Sequence, residues 1–258
     1  MSTTLLPSRE LQEVEVPLLY CGDHLSQPEF HRRYEAYPKP NVRFELIGGV
    51  VYMMTPAGFD HGRGDYKLGG ISFQYEVATL GVLGAANATV ILNDTSEPQP
   101  DLLMMLMPEC GGKSQVRGQK TRYIVGPPEL VIEVAHSSVA LDLNRKHADY
   151  LHAGIQEYIV FDVAADAVHW FDLRQNRELS LPEDRILRSF MFPGYWLDTQ
   201  ALLERDVRRL ADCMARGIAS AEHRTFVSEL AVRRDQFVPQ KRQPAKTIKR
   251  PKRKKDSQ

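Results

Sequence analysis

Apolar and polar positions divide the chain into short strand-like runs and longer stretches with helical spacing. Two apolar runs, residues 42–47 and 50–54, flank Gly48-Gly49, and this pattern predicts a β-hairpin. Compact apolar runs between prolines and polar turns are typical of strands buried on both faces. Apolar runs of this kind, and the short spacing that is typical of a hairpin, predict further strands at residues 89–92, 101–107, 129–135, 157–163, 167–173 and 186–190.

Four helical segments are expected, over residues 28–37, 61–80, 139–153 and 199–232. Pro28 suits the first turn of the first segment. Pro38 and Pro40 end the first, because proline removes a donor and disfavours the helical conformation of the residue before it. Four glycines weaken the prediction of the second helix, and Gly154 suits a left-handed cap after the third. Strands joined both by hairpins and by helices indicate an α/β (α+β) chain with a mixed sheet.

Length and composition fit one folded domain with extensions. At 258 residues, with 43% hydrophobic and 26% charged residues, the chain has the composition of an ordinary soluble globular protein. We expect an N-terminal arm (1–27), the main domain (28–198), a helical extension (199–238) and a basic tail (239–258).

Basic residues concentrate in two regions, although the formal net charge is zero. Residues 241–258 hold nine Lys and Arg against Asp256, so the tail carries +8 and the rest of the chain −8. The tail either makes nonspecific phosphate contacts or is a solubilising extension. The glycine-containing stretch 108–122 predicts a loop that either faces a phosphate backbone or is solvated. Its bases are Lys113, Arg117, Lys120 and Arg122.

Nothing in the sequence predicts export or membrane insertion. The chain does not open with a basic stretch before an apolar run, and no segment approaches the roughly 20 apolar residues of a membrane span. Cys21, Cys110 and Cys213 are far apart and form no Cys-x-x-Cys pair, which disfavours a structural zinc site and a disulfide framework. We therefore expect a cytoplasmic protein with no membrane partner.

Two acids occur in runs that otherwise predict buried strands. Asp101 opens the run 101–107, and Glu133 lies in the middle of the run 129–135. A buried acid needs a compensating partner. Two carboxylates on neighbouring strands are the hard oxygen ligands that Mg²⁺ or Mn²⁺ prefers, and such an ion can polarise a phosphoryl group. The pattern therefore allows a metal site at Asp101 and Glu133, and the plainer interpretation is that both are strand-edge acids that reach solvent.

A lysine on the following predicted helix could complete such a site. Lys146 shares a helix face with Asp142 and Asp149, and its ammonium could orient an attacking water or offset charge in the transition state. The plainer interpretation is an i,i+4 pair with Asp142, worth roughly 0.2–0.5 kcal/mol.

Several ordered blocks carry a resemblance to a known family: Val42-Arg43-Phe44-Glu45-Leu46-Ile47-Gly48-Gly49, Pro100-Asp101, Gly126-Pro127-Pro128-Glu129-Leu130-Val131-Ile132-Glu133-Val134, Asp142, Lys146 and residues 150–161. Together they resemble the Uma-like restriction endonucleases of the PD-(D/E)xK nuclease superfamily. The resemblance covers roughly residues 28–200, and its weight lies in the order of the blocks, because single short motifs are unspecific. It implies a restriction-endonuclease-like core, a mixed sheet flanked by helices, and a Mg²⁺-dependent (or Mn²⁺-dependent) endonuclease acting on DNA.

The resemblance also implies roles for individual residues. Asp101 and Glu133 would be the metal ligands, Lys146 the catalytic lysine and Glu45 an additional acid. The superfamily pattern has a lysine two residues after the glutamate, where this chain has Ala135, so Lys146 is the substitute. Lower-ranked candidates are His136, Asp142 and His61. His136 either approaches the metal or acts as a base, or it is a hydrogen-bonded structural residue at a strand end.

Two other interpretations stay open. One is a catalytically inactive protein with the nuclease fold that binds nucleic acid or a partner. The other is an assembly protein whose C-terminal helical segment, 199–232, mediates oligomerisation. A homodimer would supply two symmetry-related sites for the two strands of a duplex, whereas the plainer expectation is that this segment packs on its own domain.

Overall fold

The computed structural model describes residues 16–39, 41–119 and 121–238 of the chain. The helices are α1 (Gln27–Glu35), α2 (Phe59–Ala78), α3 (His147–Ala153), α4 (Thr199–Leu203), α5 (Val207–Ile218) and α6 (Ala221–Gln236). The strands are β1 (Phe44–Ile47), β2 (Val50–Met53), β3 (Val82–Ala86), β4 (Val90–Ile91), β5 (Leu102–Leu106), β6 (Gln115–Arg117), β7 (Tyr123–Val125), β8 (Leu130–Ala135), β9 (Glu157–Asp162), β10 (Ala167–Asp172), β11 (Arg177–Glu178), β12 (Ile186–Arg188) and β13 (Trp196–Asp198). A π-helical segment, Leu141–Lys146, leads directly into α3. Lys120, most of the predicted N-terminal arm and the basic tail lie outside the described residues.

Six strands form the central sheet, in the order β11-β10-β9-β8-β5-β3. β8 and β9 are parallel, and the other neighbouring pairs are antiparallel. A parallel pair needs a long crossover connection, which the π-helical segment and α3 provide here. The predicted mixed sheet flanked by helices is therefore confirmed.

The two faces of this sheet are buried against different helices. The even-numbered residues of β8 belong to a core shared with α2 and the C-terminal helices. The odd-numbered Val131 and Ala135 belong to a second core, together with Tyr150 of α3. This is the alternation that a period of two predicts for residues 129–135. Glu133 consequently points towards α3, where its carboxylate contacts Tyr150.

Helix α2 runs unbroken through the four glycines that weakened its prediction. A Cβ at Gly64 would lie 2.8 Å from Cγ1 of Val134 and 3.1 Å from the Phe161 ring. Glycine is therefore needed where the helix backbone packs directly on β8 and β9, and this packing outweighs the low helix propensity. The close approach brings the first turns of α2 to the start of β5, because His61 lies next to Asp101.

Two parts of the sheet region differ from the sequence prediction. The stretch 108–122 is not simply a loop, because it contains a 3-10 helix and β6, which pairs with β7. Residues 82–86 form an edge strand, β3, that the apolar pattern did not indicate. Gly84 and Ala85 have low strand propensity, so pairing with β5 decides the conformation.

The C-terminal helical pattern consists of three helices, which contact α2, the β12–β13 hairpin and the 3-10 helix of residues 108–110. Asp206 and Ser220 interrupt it, because their side chains accept hydrogen bonds at the starts of α5 and α6. Four apolar residues of this region, Leu202, Leu210, Met214 and Leu230, are buried in the core shared with α2. Among the described residues, no helix combines the length and the apolarity needed to cross a bilayer.

Candidate active site

Lys146 lies at the centre of a buried acidic cluster. Its side chain is 1% exposed. Three acids each place one carboxylate oxygen near its Nζ. The distances from Nζ are 3.0 Å to Glu133, 3.1 Å to Glu45 and 3.5 Å to Asp142. The i,i+4 pair with Asp142 is thus present, but it is the longest of the three contacts. The lysine therefore joins β1, β8 and the crossover helix.

Each carboxylate of this cluster also accepts a hydrogen bond from a further donor. These are the Tyr150 hydroxyl to Glu133 at 2.7 Å, the Gln99 backbone N–H to Glu45 at 2.6 Å, and the Ser138 hydroxyl to Asp142 at 2.6 Å. Buried charges are tolerated when they are paired and hydrogen-bonded. The additional donors therefore fix the orientation of the carboxylates around Lys146.

Burial and mutual attraction act in opposite directions on the ionisation of this cluster. Burial raises the pKa of Glu45, and it raises the pKa of Glu133 well above its usual range. Burial alone would lower the pKa of Lys146, but attraction by Glu133, Glu45 and Asp142 outweighs burial and raises the pKa of the lysine well above its usual range. Lys146 is accordingly an ammonium, and the acids around it outnumber it.

Asp101 connects this cluster to the protein surface. Its Oδ2 accepts the Val134 backbone N–H at 2.7 Å, and its own backbone N–H donates to Oε2 of Glu133 at 3.4 Å. Its Oδ1 lies 3.4 Å from Nε2 of His61. Asp101 thus lies between the buried Glu133 and the more exposed groups of α2.

His61 and Asp65 bring α2 into the site. One ligand atom from each of His61, Asp65 and Asp101 lies within 4.8 Å of the others. Oδ1 of Asp65 is buried, and among the described residues it has no hydrogen-bond partner. The hydrogen bond to Asp101 raises the pKa of His61, and burial raises the pKa of Asp65. These three side chains have the donor chemistry of a cation site.

A cleft of about 460 Å³ opens above Asp101 and His61. His136 also lines it, as do Arg43 and Asn87. Arg43 donates to Asn87 at 2.8 Å, so its guanidinium is held on the cleft wall. The cleft therefore exposes one end of the acidic arrangement, whereas Lys146 lies beneath its floor.

The predicted nucleic-acid contacts are not brought together with this site. Within the described residues, none of Lys113, Arg117 and Arg122 lines the cleft. All three are exposed, and the Arg117 guanidinium binds the Gln115 side chain on β6. Lys120 lies outside the described residues. Their proposed role stays a prediction.

Sequence reasoning did not identify two side chains of the site. Tyr150 lies four residues after Lys146 on the same helix face, and that spacing could have indicated it. Asp65 is likewise four residues after His61, on a helix whose glycines obscured the pattern. Gln99 contributes through its backbone N–H, for which a sequence holds no signal.

Comparison with known proteins identifies a family and a similar fold. The family model Uma2, described as "Putative restriction endonuclease", matches residues 28–200. A solved structure described as "a putative nuclease belonging to DUF820", from Anabaena variabilis ATCC 29413, has a TM-score of 0.50 at 12% identity. The similarity covers 71% of this chain and 97% of that one, and at such low identity it concerns the fold alone. No curated protein sequence matches the chain. Because the family model matches well over half of the residues, the protein belongs to the Uma2 family.

Proposed function

We propose that this protein is a metal-dependent endonuclease that hydrolyses phosphodiester bonds of DNA. One observation carries the proposal: Lys146 contacts Glu133, whose second oxygen accepts the N–H of Asp101 at the wall of the cleft. An ammonium in contact with one carboxylate, on a residue bonded to the backbone of a second acid, brings together the kinds of group that metal-assisted attack on a phosphodiester uses. Membership of a restriction endonuclease family supports a nucleic-acid substrate.

The donor set fits a divalent cation. Asp101 and Asp65 would supply the hard carboxylate oxygens that Mg²⁺ or Mn²⁺ prefers, and His61 would add a nitrogen donor, because one donor atom of each of these residues lies within 4.8 Å of the others. Glu133 lies outside this group and would act as a further ligand by exchanging the hydrogen bond that its Oε2 accepts from the Asp101 N–H. The buried Oδ1 of Asp65, without a hydrogen-bond partner among the described residues, is available for such a ligand. When bound, the cation would polarise the phosphate, and it would lower the pKa of a bound water so that hydroxide can form near neutral pH.

The chain's own residues would hold and balance charge around the reacting phosphate. Lys146 is an ammonium beside Glu133, where it would offset negative charge that develops in the transition state. Glu45 and Asp142 act as positioning residues, because they hold the ammonium in place. Tyr150 orients Glu133 through its hydrogen bond.

Two exposed groups on the cleft wall would bind the DNA backbone. Arg43 and His136 line the cleft without belonging to the buried cluster. Arginine is well suited to phosphate oxygens because its guanidinium presents several donors in a fixed plane. The predicted contacts of Lys113, Arg117 and Arg122 would then add affinity outside the cleft, in a manner that weakens as salt increases.

Plasmid cleavage with matched variants tests the proposal. Supercoiled DNA is incubated with Mg²⁺ or Mn²⁺ and with wild type, Glu133→Gln or Lys146→Met. We expect metal-dependent nicking that falls at least about 100-fold in both variants. Glu178→Gln is the control, because Glu178 is an exposed acid on β11 and its replacement should leave cleavage unchanged.

Metal binding measured by calorimetry distinguishes the alternatives. Wild type should bind the cation, and Asp101→Asn should bind it at least about tenfold more weakly. Metal and DNA binding without cleavage of plasmid or single strands would favour the catalytically inactive DNA-binding protein. Failure to bind a divalent cation in the folded protein would refute the proposed chemistry.

A further inference from the structure

The outward face of α2 is mostly apolar and carries one charged side chain, Arg63, whose guanidinium lies 5.6 Å from the centroid of the Tyr66 ring. Phe59, Tyr66, Phe73, Val77 and Leu80 lie on or just beyond this helix, and they are 79%, 75%, 66%, 71% and 67% exposed. Their spacing of seven, seven, four and three residues places them on one side of the helix. The opposite side, with Leu68 and Ile71, is buried in the core. A surface helix normally carries mostly charged and polar residues on its solvent side. Large exposed apolar side chains on this face therefore indicate that it is covered by a partner.

We propose that the outward face of α2 pairs antiparallel with the same face of a second copy of this chain. The positions of these residues along the helix indicate that the partner is a second copy, because they are symmetric about one point. Phe59 and Leu80 lie at equal distances from the midpoint between Gly69 and Gly70, and so do Tyr66 and Phe73. In a two-fold interface, residue i contacts j and j contacts i. An antiparallel pair centred on this midpoint brings Phe59 opposite Leu80 and Tyr66 opposite Phe73.

Small residues in this face fit the same register. Gly62 and Val77 are also symmetric about the midpoint, so that each valine would face a position without a side chain. A Cβ at Gly62 or at Gly70 would meet nothing within 4 Å, which means that both glycines open outward. Gly70 would lie at the crossing point, where the absence of a side chain lets two helix backbones approach closely, whereas a Cβ at Gly69 would face Leu102 of the core.

The exposed area is sufficient for a specific dimer. Three aromatic side chains of about 150–250 Å² each, exposed by two thirds or more, together with Val77 and Leu80, offer on the order of 600 Å² per copy. The pair would then bury roughly 1,200 Å², the lower limit of specific interfaces. The C-terminal helices, the other candidates for assembly, bury their main apolar residues within their own domain.

The oligomeric state in solution tests this interface. Sedimentation of the full chain over a range of concentrations should show a dimer. Tyr66→Lys and Phe73→Lys should each raise its dissociation constant roughly 30-fold or more, as the loss of a central aromatic contact does. Val232→Lys is the control, because Val232 is 54% exposed on α6 and should leave the dimer unchanged. Circular dichroism confirms that each variant is folded.

Cysteine crosslinking tests the register independently of stability. In a Cys21→Ser background, which removes the exposed native thiol, Gly70→Cys should form a disulfide between copies, because the two positions meet at the crossing point. Asp60→Cys should not, since its two copies would be roughly 28 Å apart along the axis. A monomer at every concentration, or a dimer that tolerates both lysine substitutions, overturns the proposal. Neither outcome depends on the nuclease activity.

Discussion

Replacing Lys146 by methionine should destabilise the protein strongly at neutral pH. The substitution keeps the apolar stem but removes the cation from three buried carboxylates, all within 3.5 Å of Nζ. Loss of one partner from a buried ion cluster costs about 3–5 kcal/mol, because the remaining charges stay uncompensated. For a protein of this size, this corresponds to a fall in Tm of roughly 6–20 °C.

The pH dependence of this loss has a definite sign. Lys146 acts against the rise in pKa that burial imposes on Glu45 and Glu133. Without the lysine, the pKa of both carboxyls in the folded state rises further above that of the unfolded state. A carboxyl whose pKa is raised in the folded state contributes less to the free energy of unfolding as the pH increases through that folded pKa. The difference between variant and wild type should therefore be larger at about pH 8 than at about pH 5.

Urea unfolding at these two pH values, followed by the fluorescence of the buried Trp170, measures the effect. Lys39→Met is the control, because Lys39 is exposed and should change stability by no more than about 0.5 kcal/mol. Adding Glu133→Gln to Lys146→Met should recover part of the loss, since it removes one uncompensated charge. If Lys146→Met unfolds at the wild-type urea concentration at both pH values, the cluster contributes no net stability and the reasoning is wrong.

Three further predictions follow from other parts of the molecule. Burial raises the pKa of Glu157 from 4.5 to about 7, so its contribution to stability is complete below about pH 4.5 and is lost, by about 3 kcal/mol, as the pH rises through 7. Glu157→Gln should flatten that part of the pH profile of urea unfolding, and an unchanged profile would contradict it. Gly64→Ala should cost about 1–3 kcal/mol in thermal unfolding, because its Cβ would lie 2.8 Å from Cγ1 of Val134, and an unchanged Tm would contradict this packing. His61→Gln should weaken Ni²⁺ binding more than Mg²⁺ binding in calorimetry, because imidazole suits nickel and oxygen donors suit magnesium, and an equal loss for both metals would argue against a nitrogen ligand.

The strand that carries Glu133 could be predicted from sequence, because alternation within one buried strand is a local property. Residues 129–135 alternate between two apolar faces, and the structure has this alternation. The contact between Glu45 and Lys146 is different, since the two residues are 101 positions apart. Only the resemblance to a family indicated that they belong together. Their roles in catalysis stay predictions.

Helix α2 illustrates why part of the site could not be predicted. Its glycines lower helix propensity, and the sheet beneath explains one of them, Gly64, whose Cβ would lie 2.8 Å from Cγ1 of Val134. Asp65 was overlooked because its importance depends on that contact, which places it near Asp101. The edge strand β3 was missed for a similar reason, because hydrogen bonds with β5 form it against weak local preference.

The position of the lysine on the crossover helix has a consequence for how the protein folds. Lys146 does not share a strand with Glu133, because it lies on the crossover between β8 and β9. Here the contact between Lys146 and Glu45 closes a loop of 101 residues, and it forms only after β1, β8 and the crossover have assembled. Contacts of such sequence separation are slow to form, because the entropy of loop closure is lost before the contact stabilises anything. The acidic cluster is therefore a product of global folding, and a partly folded chain does not contain it.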